Sequence, residues 1–454
     1  MSSRPRSRIE FMPDRNATLS VASASPRAGI REVAASVKSK SSIALRVNAS
    51  WLLIGRMAYH ATQFALLIAL ARLASTETVG TYVLSLAVVS PIMMFASLQL
   101  HVAQCAYNKG EFEFQEYLAL RLLCLLVANL IILVVCLWTS CPLVILAMAL
   151  AKSAESISEL LCGRLQHLER MSAIARSLML RGSLSLLVAT IALACTHKLE
   201  LAILAIGLCH LGVAWFHDLP QSLSASRLRD LWTSLRGVSM SRVYQLGWLT
   251  FPLGIAYGLA ALEISAPRFV VQSQLGEREL GILGVMIYVT MIGQLVVASV
   301  AHAAIPRMAK CSARGDLKAV RRLVLKVVAI GACAGLGTVV FAWLFGDLFL
   351  RVVFSVEYAA YQPLLVAVSV AASFSFVSAM LSTSLRALQF FRSVCILHAI
   401  GFIIIMGTCW YTVSQHGLNG AALGMVVSAV LTSLLFGGAF LLLMGLRTRE
   451  LKYA

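Results

Sequence analysis

Residues 143–195 read LVILAMALAKSAESISELLCGRLQHLERMSAIARSLMLRGSLSLLVATIALAC. Two apolar stretches flank a short basic connector, Gly163–Met171, so the segment reads as two membrane-crossing helices folded back on each other. Lys152, Glu155 and Glu159 stand at i, i+3 and i+7, which is one face of a helix. Arg176 and Arg181 lie in the second helix. A charge in hydrocarbon costs at least about 2.5–3.5 kcal/mol, so such residues face a wet cavity or a partner. With the fold-back at Gln166–Leu168, Glu155 comes level with Arg181 and Glu159 with Arg176. The first pair then lies about 13 Å along the helix from the connector, at roughly 1.5 Å per residue, near the bilayer midplane. Two readings stay open: a polar wall of a transport cavity, or an ion-pair clasp between neighbouring helices. Lys152 shows no obvious partner one turn further on and points to a ligand.

The rest of the chain agrees with a membrane setting. Of 454 residues, 59% are hydrophobic and only 13% charged, which excludes a soluble globular protein and indicates a polytopic α-helical one. The net charge of +18 belongs first to membrane orientation, and no aromatic-plus-basic cluster points to nucleic acid. The 11 cysteines and 9 histidines are scattered, without CxxC or zinc-ligand spacing, so neither metal nor cofactor is expected. His60, His101 and His302 fall in or near spans, as cavity-lining or as interhelical histidines.

Apolar runs long enough to cross are Ser50–Ala71, Val79–Gln99, Tyr117–Trp138, Leu143–Cys162, Ser172–Cys195 and Leu199–Phe216, then Tyr244–Ile264, Leu280–Ile305, Leu323–Phe349, Pro363–Leu385, Ser393–Val413 and Leu418–Met444. The expected fold is therefore an all-α membrane protein of about twelve helices. An N-terminus inside puts most of the arginines and lysines of the connectors on the cytoplasmic side. Arg164, Arg170, Arg242, Arg307, Lys310, Arg314 and Arg386 are among them. Both termini are then cytoplasmic.

The division follows: a basic tail at 1–48, expected to be unstructured; a six-helix bundle at 49–217; a linker at 218–243; a second bundle at 244–446; and a short tail at 447–454. In the linker Leu228, Leu231, Trp232, Leu235 and Val238 recur at helical spacing, as for a helix lying at the cytoplasmic surface. Two even-numbered sets imply a pseudo-two-fold axis along the membrane normal. Ala71-Arg72 with Glu77-Thr78-Val79-Gly80 parallels Pro267-Arg268 with Glu277-Arg278-Glu279-Leu280-Gly281.

No catalytic constellation is visible, the outer loops are short (Ser265–Glu279 is the longest), and no Walker A lysine loop occurs. An enzyme is not expected, and energy must come from a gradient or from substrate flow. The spans instead hold basic residues. Arg56 stands in the first span with Tyr59, His60 and Gln63 on or near its face, and Lys152 and Arg181 stand in the fourth and fifth. Guanidinium and ammonium groups in a low-dielectric cavity suit a phosphate or pyrophosphate, while Arg56 could equally snorkel to headgroups.

Several segments resemble a known family. Leu70-Ala71-Arg72-Leu73 with Val79-Gly80-Thr81-Tyr82 is similar to the first-span exit of bacterial polysaccharide flippases. Ala151-Lys152-Ser153-Ala154-Glu155, Gly163-Arg164-Leu165-Gln166 and Ile174-Ala175-Arg176-Ser177 with Arg181-Gly182 resemble a stretch of one capsule and lipopolysaccharide exporter group. Pro267-Arg268 and Pro306-Arg307-Met308-Ala309 add a third match, and Ala74-Ser75 departs where glycine is common. The family is the polysaccharide transporter branch of the multidrug/oligosaccharidyl-lipid/polysaccharide exporter superfamily.

The resemblance implies two six-helix bundles around a central cavity, opening alternately to either side. It also implies an undecaprenyl-pyrophosphate-linked oligosaccharide as substrate, moved from the inner to the outer leaflet of the bacterial cytoplasmic membrane, with membrane lipid, a glycan polymerase and chain-length proteins as partners. Substrate-binding residues are then expected to be Arg56, Lys152, Arg181, Glu155, Gln63 and His60. The alternatives are an ion-coupled small-molecule exporter of the same architecture, and a membrane glycan polymerase or ligase.

Overall fold

The structure, a computed structural model, describes residues 26–106, 111–223 and 237–453. Side chains are described from Ser50 onward, except at 105–106, 296, 302–303, 306 and 447–453. The linker leucines and Trp232 expected to form a surface helix, and His302, thus lie outside the described side chains. Residues 26–49 are helical backbone and belong to a unit described apart from Ser50–Ala454.

Ten helices are long and apolar enough to cross a membrane. They are α1 (Ser50–Leu73), α2 (Thr76–Gln104), α3 (Phe114–Cys136), α5 (Met171–Thr196), α6 (Leu199–Ser222), α7 (Met240–Gln274), α8 (Glu277–Ala301), α9 (Leu317–Phe354), α10 (Gln362–Ala387) and a last stretch, Phe391–Leu446. That stretch breaks at Gly417, whose φ of 57° and ψ of −134° are non-helical, giving α11 (391–416) and α12 (418–446). Between α3 and α5 lies α4 (Pro142–His167), less apolar because it carries Lys152, Glu155 and Glu159. Twelve helices result, as the hydropathy pattern required, and no strand occurs among the described residues.

Local chemistry sets the helix starts. The Ser75 hydroxyl accepts from the Thr78 N–H at the head of α2, and Asp316 accepts from the Ala319 N–H ahead of α9. Pro142 opens α4 at a position where its missing N–H costs nothing. One expectation is corrected. Ser265–Glu279 is no loop, because α7 runs on to Gln274 through Pro267, and only Leu275 and Gly276 separate it from α8.

The two halves meet most intimately where α2 crosses α8. A Cβ placed on Gly80 would lie 1.8 Å from the Glu277 carbonyl oxygen, and one on Gly281 would lie 2.2 Å from that of Thr76. The contact is reciprocal, as an isologous interface demands. One turn on, a Cβ on Gly284 would meet the Val83 side chain at 2.5 Å. Val83 stands to Gly80 as Gly284 stands to Gly281, so these two equivalent positions touch each other on the pseudo-two-fold axis. The small residues let the backbones approach, as in other helix crossings within membranes.

Burial is unequal along that axis. At the end opposite the basic connectors a single apolar core draws on both halves, from Leu66, Val83 and Ile145 to Met286, Phe354 and Cys409. Toward the basic end the core divides. Met308, Val324, Met380, Leu397 and Phe436 belong to the second half alone. Leu100, Tyr117, Leu160 and Ala214 belong to the first, joined by Val243 and Leu246 of α7, whose first half packs along α2 and α3. The halves thus share one core at the far end, whereas at the basic end their cores are separate apart from α7.

Candidate functional site

Directly under the shared core lies an opening of about 460 Å³, lined by Ser90, Met93 and Ser97 of α2 and by Lys152, Glu155 and Glu159 of α4. Ala151 is the last fully buried residue of α4 in the shared core, and Lys152 follows it directly. The i, i+3, i+7 face read from the sequence does line a cavity.

The pairing differs from the one expected. Lys152 Nζ lies 2.7 Å from Glu155 Oε2, with the two side chains 32% and 16% exposed. A three-residue step along one helix therefore supplies the partner that Lys152 was read as lacking. The other oxygen of Glu155 accepts a hydrogen bond of 2.5 Å from the Tyr59 hydroxyl of α1. Arg181 makes no ion pair with Glu155. Its guanidinium carbon sits 5.9 Å from the centre of the Tyr59 ring, and one nitrogen reaches Cys162 Sγ at 3.7 Å.

The phenol thus stands between Glu155 and Arg181 and links them indirectly. Glu159 and Arg176 do not pair either. Arg176 is exposed and turns back to the Ser172 carbonyl at 3.4 Å, whereas Glu159 lines the opening without a hydrogen bond or ion pair among the described residues. The equal-depth argument assumed that α4 and α5 face each other, whereas both pack mainly on α6.

The other expected residues divide by position. Arg56 is exposed, within electrostatic reach of Glu159, on a helix drawn close to α5 at Gly55, where a Cβ would lie 2.6 Å from Ala175 Cα. His60 is exposed, near Arg56 and Glu155, and Gln63 is half-buried with no hydrogen-bond partner among the described residues. Arg181 is only 2% exposed and does not reach the opening. It stands behind Tyr59, so its charge acts on the opening through that ring.

Two residues of the site escaped the sequence reading, and a third, Arg268, was read only as part of a motif. Arg121 of α3 is fully buried, gives a hydrogen bond of 2.8 Å to Ser156 Oγ, and is attracted by Glu159. Its signal, an arginine five residues into the run Tyr117–Trp138, was there to be read. Asp218, assigned to the linker, ends a π-helical turn of α6 (Ala214–Asp218) and is fully buried. It accepts from Ser158 at 2.6 Å and from His217 at 2.9 Å and supplies counter-charge to Arg181. Arg268 of α7 is 6% exposed, inside the closed end, with no hydrogen bond or ion pair among the described residues. The opening is therefore not simply basic. One lysine and two carboxylates line it, and Arg56, Arg121 and Arg181 surround it.

Comparison with known proteins bears on this architecture. No family model matches the chain. It is similar to the capsular polysaccharide biosynthesis protein CapF of Staphylococcus aureus, 24% identical over 389 residues, covering 84% of this chain and 95% of that protein. Among solved structures it resembles an inward-facing multidrug resistance MATE family transporter of the MOP superfamily. There the TM-score is 0.72 at 13% identity, over 86% of this chain and 96% of the other. It also resembles the lipid II flippase MurJ in an inward closed conformation, with a TM-score of 0.63 at 11% identity, over 85% and 86% of the two chains. The fold is the one these structures share, two six-helix lobes, and the chain is a multi-pass membrane protein by the length and hydropathy of its helices. The resemblance to polysaccharide flippases drawn from the sequence motifs stands.

Proposed function

We propose that the protein moves a lipid-linked oligosaccharide diphosphate from the inner to the outer leaflet of the bacterial cytoplasmic membrane by alternating access. The basic end is the cytoplasmic one, by the distribution of arginine and lysine. The saccharide occupies the space between the lobes, the diphosphate meets Lys152 and Arg56, and the lipid chain stays in the bilayer. Glu155, held by Tyr59, neutralises Lys152 until the anion displaces it. Arg181 and Arg121 are positioning charges behind that surface. The observation that supports this reading is that Lys152 and Glu155 line an opening toward the basic end, next to a core that both halves share. The likeness to a capsular polysaccharide biosynthesis protein and to a lipid II flippase supports the substrate class.

The test is a deletion strain. Lipid-linked repeat units should accumulate on the cytoplasmic face, and the wild-type gene, but not the Lys152→Gln, Arg56→Gln double variant, should clear them. Normal export without the protein refutes the proposal.

One observation favours a second reading. Glu159 is an unpaired carboxylate on the opening, which suits a cationic small molecule. Glu159→Gln separates the two: it abolishes export of a cation but leaves an anionic substrate bound as tightly or more so.

A further inference from the structure

Away from that opening, the foot of α9 carries a run of cations that nothing so far uses. Lys318, Arg321, Arg322 and Lys326 are all exposed, and none makes a hydrogen bond or ion pair among the described residues. Lys310 and Arg314, also exposed, add to them from the end of α8 across the turn at Gly315. Asp316 is the only carboxylate between Glu279 and Asp347, and it is already engaged, accepting the Ala319 N–H at 2.9 Å.

The charges form a stripe with a direction. Lys318, Arg322 and Lys326 stand at i, i+4 and i+8, one face of the helix over about 12 Å at roughly 1.5 Å per residue. The opposite face, Val320, Val324, Val327 and Gly331, is buried as α9 packs on α8 and α10. Val340 lies five turns on from Arg322 in the same helical phase, flanked by Leu336 and Leu344, and all three are exposed. The face that bears the cations is therefore the face that α9 turns to lipid.

The first lobe has the same hairpin without the stripe. Glu113 starts α3 as Asp316 starts α9. Counted from those two residues, Lys318, Arg321, Arg322 and Lys326 correspond to Gln115, Leu118, Ala119 and Leu123. Membrane orientation does not explain the difference, because the positive-inside bias acts on both connectors of the basic end alike.

We infer that the foot of α9 binds the phosphate headgroup of an anionic glycerophospholipid, whose acyl chains lie on the exposed apolar face of the same helix. The Arg322 guanidinium suits two oxygens of one phosphate, and the Lys318 and Lys326 ammonium groups reach it on long stems from a turn to either side. Clusters of cations at the end of a membrane helix attract anionic lipid in this way. A phosphatidylcholine headgroup brings its own quaternary ammonium, which the stripe repels, whereas phosphatidylglycerol brings none. The occupant is lipid rather than an acidic soluble protein, because the cations share their face with lipid-exposed side chains. Such a lipid moors the second lobe alone, so the charge of the leaflet bears on one lobe and not the other. The inference needs only the membrane-spanning fold and stands apart from the saccharide reading.

The test uses the full-length protein in nanodiscs of phosphatidylcholine, with and without phosphatidylglycerol. Acylation of Lys318 and Lys326 by a water-soluble amine reagent, read by mass spectrometry, should slow about threefold or more when phosphatidylglycerol is present. Native mass spectrometry should show phosphatidylglycerol retained, with apparent affinity about tenfold or more weaker in the triple variant K318Q, R322Q, K326Q. K318R with K326R should keep the lipid, and so should R176Q, which removes an exposed cation of the first lobe. Melting temperatures verify folding, and if the triple variant does not fold, labelling of the wild type decides. Labelling indifferent to phosphatidylglycerol, or a triple variant that retains it, overturns the inference. Equal protection by inorganic phosphate or by soluble polyglutamate in phosphatidylcholine discs overturns it too, in favour of a free-phosphate or protein site.

Discussion

The Tyr59 hydroxyl donates a hydrogen bond to Glu155 at 2.5 Å while its ring lies 5.9 Å from the Arg181 guanidinium, so one aromatic side chain stands between an acid and a base on two other helices. Tyr59→Phe keeps the ring and removes the donor. Glu155 then relies on Lys152 alone. Leaving a buried acceptor short of a partner costs about 1–3 kcal/mol. The expected outcome is a lower melting temperature and several-fold slower export. Unchanged values would show that Glu155 is held by Lys152 without help.

Lys152 and Glu155 compete in the proposed cycle with an incoming anion. Lys152→Gln should weaken binding of a lipid diphosphate by about tenfold or more, equivalent to ~1.4 kcal/mol. Lys152→Arg should stay within a few-fold. Glu155→Gln should bind the same probe more tightly yet export it more slowly, because the anion loses the group that displaces it. Binding by tryptophan quenching alongside an export assay separates the two effects.

Arg121 is fully buried, bonded to Ser156 and attracted by Glu159 across a gap. Leaving that buried hydrogen bond short of a partner costs about 1–3 kcal/mol. Arg121→Gln should therefore express poorly, and adding Glu159→Gln should recover much of the loss. A double-mutant cycle on detergent melting curves measures the coupling. Simple additivity would show that the two groups do not sense each other.

Arg268 is buried in the closed end without a hydrogen bond or ion pair among the described residues. Replacing an uncompensated buried charge by an apolar residue of similar volume is neutral or stabilising. Arg268→Met is thus expected to melt no lower than the wild type and still fail to export. That split assigns the arginine to a later state of the cycle. A variant that exports normally would make the charge dispensable.

Gly80→Ala tests the lobe crossing. Its added methyl would stand 1.8 Å from a backbone oxygen of α8. It should force the lobes apart at the closed end and raise hydrogen exchange in 281–289 with loss of export. Gly437→Ala, whose Cβ would be 4.0 Å from its nearest neighbour, serves as the control and should change little.

The fold was legible because hydropathy and the positive-inside bias are summed over whole spans. They gave twelve helices and the division into halves, and they failed at Pro267, where a proline read as the start of a loop is absorbed inside α7. The site was legible along α4 but not across helices. Lys152, Glu155 and Glu159 share one face by their spacing and line one opening, while the partners expected for Glu155 and Glu159 do not pair with them, because packing decides which helix faces meet. Gly55 against Ala175, for example, turns α1 so that Tyr59 enters between Glu155 and Arg181.

Val83 and Gly284 touch across the line about which the lobes are related, at the end that is shut in this structure. Rotation about that line would open neither face of the membrane, so alternation needs the lobes to tilt across it. Spectroscopic labels at these two positions should then part whenever the far side opens, while labels at the basic end draw together. The crossing therefore furnishes a built-in latch, whose release reads out one half of the cycle.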